Sequence, residues 1–96
     1  MAAYVVMIKD ETLDKDELAT YAQKAGEARG DHQITPLAFY GDLEVLEGRE
    51  AEGVVVLEFA DIDAAKAWYH SPAYQEAKAH RVKGANYRVL LVKGVA

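Results

Sequence analysis

The chain contains no cysteine, which excludes a disulfide framework, a thiol nucleophile and any thiolate metal site. With only one tryptophan and two phenylalanines, aromatic packing must come largely from the six tyrosines. Basic residues are the minority charge: 11 Lys and Arg stand against 16 Asp and Glu, a net charge of −5, and no segment gathers them. The counterion release on which nucleic-acid affinity depends has no source here, so no nucleic-acid partner is expected. Long apolar runs are missing as well. Val54–Leu57 and Val89–Val92 are among the longest, far too short to span a bilayer, and Met1–Lys9 has neither the basic start nor the long apolar stretch of a secretory leader. The expectation is a cytoplasmic protein with no membrane partner.

What remains is ordinary for a folded globular chain. Hydrophobic residues make up 51% and charged residues 28% of 96 positions, a balance that argues against disorder. A chain of this length supports one domain, expected over residues 1–96, and buries only a modest share of its surface unaided. A partner subunit would supply further burial.

Residues Ala3–Lys9, AYVVMIK, are β-branched and aromatic and predict a strand. In the next segment Asp14 is placed to cap a helix, with Glu17 three positions on to reach back, and Leu18, Tyr21, Ala22, Ala25 and Ala28 follow helical spacing as far as Gly30. A loosely alternating stretch with Pro36 follows. Proline cannot donate a ladder hydrogen bond, so a strand here begins after Pro36 or lies at an edge. Gly41-Asp42 suits a two-residue hairpin loop. Gly53–Phe59 is the clearest strand of the chain, and Asp61 opens a second helical region. Ser71-Pro72 is a fresh cap followed by proline at the first helical position, so that helix breaks and restarts. Tyr87–Lys93 is the last strand.

The order β-α-β-β-α-β predicts an α+β, ferredoxin-like βαββαβ sandwich: an antiparallel sheet with two helices on one face. Strand alternation then raises a difficulty. Val55, Leu57 and Phe59 point one way and Val54 and Val56 the other; Tyr4, Val6 and Ile8 oppose Ala3, Val5 and Met7; Val89 and Leu91 oppose Leu90 and Val92. Both faces are apolar, whereas a sheet with one wet face carries polar residues on it. The helices can cover only one face, so the other is expected to meet a second copy, giving a two-fold homodimer.

Three stretches carry a resemblance: VLEG at 45–48, VVVLEF at 54–59 and AAKAWYHSPAYQEAKAHR at 64–81. From Tyr4 to Gly94 the chain resembles the domain-of-unknown-function 1330 family, small proteins similar to the dimeric α/β-barrel superfamily that includes antibiotic-biosynthesis monooxygenases. The resemblance implies a ferredoxin-like homodimer, a dimeric α/β barrel, and no assigned reaction.

Trp68 and Tyr69 stand just before the helix break, where large rings fill the space between helix and sheet or stack on a ligand. Ser71 fits a cap and lacks the glycine elbow of a nucleophile. His70 and His80 are ten positions apart and His32 lies on a loop, which is not metal-ligand spacing, so no metal is expected. Arg81 could pair with Glu47 or Glu58, or clamp a ligand carboxylate. Glu58 interrupts an apolar strand and is expected to be paired with a residue such as Arg81 or to act as a general base; His32 and Tyr40 are the other candidate bases. Two functions follow. One is a cofactor-free protein that binds or transforms a small organic molecule in a pocket between sheet and helices, with Glu58, His32 or Tyr40 catalytic and Arg81, Tyr69 and Trp68 holding the ligand. The other is a noncatalytic, structural or stress-linked dimer in which all these residues are structural.

Overall fold

The computed structural model describes residues 1–95. Strand β1 (Ala3–Thr12) leads into helix α1 (Lys15–Ala28), then β2 (Thr35–Phe39), β3 (Gly53–Phe59), helices α2 (Ile62–Tyr69) and α3 (Pro72–Gly84), and β4 (Ala85–Lys93). The strands form one sheet in the order β2-β3-β1-β4, every neighbouring pair antiparallel. This is the ferredoxin-like α+β arrangement.

The two-residue alternation decides which side chains face the helices. Val5, Met7, Val55, Leu57 and Phe59 are buried with Tyr21 and Ala28 of α1, Ala65 and Trp68 of α2, and Tyr74 and Ala77 of α3. The intervening residues form the outer face, where Val6 stands opposite Val56 on one side and Leu90 on the other, and Ile8 opposite Val54. Leu90 and Val92 are 50% and 51% exposed there, so the second apolar face expected from the sequence is real and uncovered within one chain.

The helix break is built as the sequence predicts. The Ser71 hydroxyl donates to the Trp68 carbonyl (2.7 Å) and accepts from the Tyr74 N–H (3.3 Å), serving the end of α2 and the start of α3 together. Gln75 Nε2 adds a bond to the Tyr69 carbonyl at 2.7 Å. Because the last carbonyls of one helix and the first N–H groups of the next are satisfied, the corner costs little. At the other end of α3, Gly84 accepts at its carbonyl from the N–H groups of Leu13 and Asp14 (2.7 and 2.9 Å). A Cβ at Gly84 would stand 2.8 Å from the Leu18 side chain and 3.0 Å from its backbone nitrogen, so only glycine lets α1 start so close to α3.

Two local expectations are corrected. Asp14 does cap α1, accepting from the N–H groups of Asp16 and Glu17. Glu17, however, does not complete a capping box: its carboxylate bonds to His80 Nδ1 across to α3, at 2.7 Å. The two-residue hairpin at Gly41-Asp42 is absent as well. β2 ends at Phe39, Tyr40 takes the left-handed conformation (φ 54°), and an irregular segment leads on to β3. Tertiary contacts override the turn signal: the Tyr40 N–H donates to the Val54 carbonyl (2.9 Å), and its ring lies where a Cβ on Gly53 would come within 2.6 Å. Pro36 lies inside β2, which is the edge strand and carries a register shift between Pro36 and Ala38.

Candidate functional site

Helix α1 presents mostly small residues to the sheet. Ala22, Ala25 and Gly26 occupy positions where larger side chains would fill the space against Met7, Val55 and Leu57, and the result is a cavity of about 620 Å³. Its wall is apolar apart from a few groups. Trp68 and Tyr21 form part of it, Tyr40 and Tyr87 another part, and Lys9 and Arg29 are its charged residues.

The tyrosines are paired. The hydroxyls of Tyr21 and Tyr74 are 2.8 Å apart and those of Tyr40 and Tyr87 are 2.5 Å apart. Trp68 packs against Tyr74, with ring centres at 4.2 Å, and against Phe59 at 5.4 Å. Its indole Nε1 is buried without a hydrogen-bond partner. The Arg81 guanidinium lies over the Tyr87 ring, 5.3 Å from its centre. Burial pushes the phenols of Tyr21, Tyr74 and Tyr87 above the ordinary tyrosine range; for Tyr21 and Tyr87 the neighbouring phenol adds to the shift, and Arg81 offsets part of it for all three.

A phenol whose folded pKa is raised contributes stability that is fully present below the unfolded value of about 10 and is lost as pH climbs above it. The expected result of an alkaline titration is therefore that phenolate absorbance from Tyr21, Tyr74 and Tyr87 appears together with the loss of circular dichroism. Ionisation of these three in the still-folded protein would contradict their burial.

Of the six residues singled out from the sequence, the cavity wall includes Tyr40 and Trp68. Arg81 is buried, 4% exposed, and packed against Tyr87, a wall residue. Tyr69 lies instead in a smaller groove with Val5, Ala65 and His70. His32 follows α1 on the connection to β2, outside the wall. Glu58 points to the outer face, where it accepts a long hydrogen bond from the Tyr4 hydroxyl (3.4 Å). The expected pairing of Glu58 with Arg81 is thus corrected: the two lie on opposite sides of the sheet, because Glu58 shares its parity with Val54 and Val56 while α3 covers the other face. Glu47 does not pair with Arg81 either; the ion pairs among the described residues are Lys9–Glu52, Lys24–Glu76 and Arg88–Asp10, and His80 and Glu17 share a hydrogen bond. Tyr21, Tyr74 and Tyr87 were not expected at the site, although a tyrosine amid the alanines of α1 was a signal that this interface is wide.

The family model for the domain of unknown function DUF1330 matches residues 2–95. The chain belongs to the DUF1330 family. No curated protein matches it in sequence. Among solved structures, a protein of unknown function from Rhodopseudomonas palustris is similar with a TM-score of 0.70 and 16% identity, over 99% of this chain and 83% of that one. A dimeric ferredoxin-like protein of unknown function from Thermobifida fusca matches with a TM-score of 0.65 and 15% identity, over 98% and 92% of the two chains. SnoaB, a cofactor-independent oxygenase from Streptomyces nogalater, matches with a TM-score of 0.58 and 11% identity, over 99% and 93%. At these identities the likeness shows the fold that this DUF1330 chain shares with them. No helix among the described residues is long and apolar enough to cross a membrane.

Proposed function

We propose that the protein binds a small, flat organic molecule in the cavity between α1 and the sheet, as one half of a homodimer joined through the outer sheet face. The cavity carries this reading. Its volume of about 620 Å³ falls within the ~300–1,000 Å³ usual for ligand pockets, and an apolar wall with a few convergent polar groups is the usual pocket composition. The half-exposed Leu90 and Val92 support the dimer, as does the description of the Thermobifida fusca neighbour as dimeric.

The architecture shared with a cofactor-independent oxygenase agrees with a site that works on an organic molecule using the protein alone. In this chain the wall contains no carboxylate and no histidine. Burial raises the Tyr21 and Tyr87 phenols, which makes both poor bases at neutral pH. Binding is therefore the primary activity, and of the three candidate bases Tyr40, 39% exposed, is the one at the wall. Glu58 and His32 take no part, being outside the wall.

Trp68 is the single tryptophan and forms part of the wall, so its indole N–H resonance is a built-in reporter. Addition of 2-naphthamide is expected to shift that resonance saturably, at one molecule per chain. A resonance that stays in place up to the solubility limit of the probe would sink the binding reading.

A further inference from the structure

Among the described residues Arg81 is the buried charged one, on the inward stripe of α3 with Tyr74, Ala77 and Gly84. A guanidinium withdrawn from water is costly unless an anion and hydrogen-bond acceptors replace the lost hydration. Among the described residues no carboxylate lies within ion-pair distance of it. Its Nε is buried with no partner. What surrounds it is phenol: the Tyr87 ring beneath the guanidinium, the Tyr74 hydroxyl within its hydrogen-bonding reach, and Tyr21 near enough to respond to its charge.

The hydroxyls add to the imbalance. Two hydroxyls that bond to each other use one hydrogen and leave one to donate. The Tyr40–Tyr87 pair, both of them wall residues, keeps such a hydrogen. This side of the cavity offers a phenol hydrogen, is backed by a buried cation, and has no carboxylate in its wall. Of the wall's own cations, Lys9 lies 3.9 Å from the Glu52 carboxylate, and Arg29, which is exposed, donates to the Ile34 carbonyl at 2.8 Å.

We infer that the ligand of this cavity carries an anionic oxygen, a carboxylate or enolate on a flat apolar body, and that Arg81 selects it through the Tyr40–Tyr87 phenol pair. The inference rests on the cavity being the binding site. Arg81 acts here as a positioning residue: its charge, placed behind the phenol pair, makes the pair's one free hydrogen a better donor to an anion than to a neutral acceptor.

The test compares 2-naphthoate with 2-naphthamide, matched in size and shape, by calorimetry on the whole protein at neutral pH. Naphthoate is expected to bind about tenfold more tightly. Arg81→Met is expected to bring the two affinities together by weakening the acid alone, and Arg81→Lys to retain a preference for the acid. An arginine with only a structural role would weaken both probes alike when replaced. Equal affinities in the wild-type protein overturn the inference whether or not the variants fold, and so does a preference that survives Arg81→Met. Absence of binding by both probes overturns the cavity reading itself, which keeps the two failures apart.

Discussion

In the dimer proposed above, Val6→Lys is expected to separate the two copies into folded monomers. Val6 stands in the second strand from one edge, facing outward, with Val56 opposite on β3 and Leu90 opposite on β4. In a dimer joined through this face it lies near the middle of the contact, where a buried large aliphatic side chain contributes roughly 1.5–3 kcal/mol. An ammonium there loses its hydration with no carboxylate to meet, at an effective cost of several kcal/mol. Together these terms weaken association by at least about a hundredfold. In the separated chain the lysine would be in water, so the fold survives. Sedimentation velocity at micromolar concentration reads the first effect and circular dichroism the second. A wild-type protein that sediments as a single chain, or a variant that remains dimeric, would remove the case for the outer face as the interface.

Ala25→Phe is expected to abolish binding of naphthamide and to leave the melting temperature unchanged or raised. Ala25 belongs to the small-residue wall of α1 that keeps the cavity open. A phenyl group there occupies the space a ligand would use. Burying such a ring contributes about 1.5–3 kcal/mol, whereas forcing extra atoms into a filled core costs about 1–3 kcal/mol. With about 620 Å³ of space beside it, the first effect wins. Calorimetry with the probe and thermal unfolding measure the two results. Wild-type affinity in the variant would show that ligands bind elsewhere, and a marked fall in melting temperature would show that this side of α1 has no room to fill.

The local grammar of the chain was readable because each signal acts within a few residues. Ser71 satisfies groups three residues to either side, at Trp68 and Tyr74, and the Val54–Phe59 alternation depends on nothing beyond the strand. The failures have a common origin. Gly41-Asp42 carries a hairpin signal, yet Tyr40 takes the left-handed conformation, held by Val54, Gly53 and Tyr87. Glu17 has capping spacing, yet its carboxylate goes to His80, 63 positions away. In each case a tertiary partner competes for a group that local rules had already assigned.

The same division separates fold from site. The amino-acid sequence by itself determined the order of strands and helices, the break at Ser71-Pro72 and the sheet apolar on both faces, since caps and hydrophobic periods are set by neighbours along the chain. Only the tertiary structure decided that Glu58 and Arg81 lie on opposite sides of the sheet, and that tyrosine hydroxyls 47 and 53 positions apart meet in pairs. The residual volume under α1 was likewise invisible, because it depends on how a helix of small side chains lies across the strands, a distance no spacing along the chain encodes.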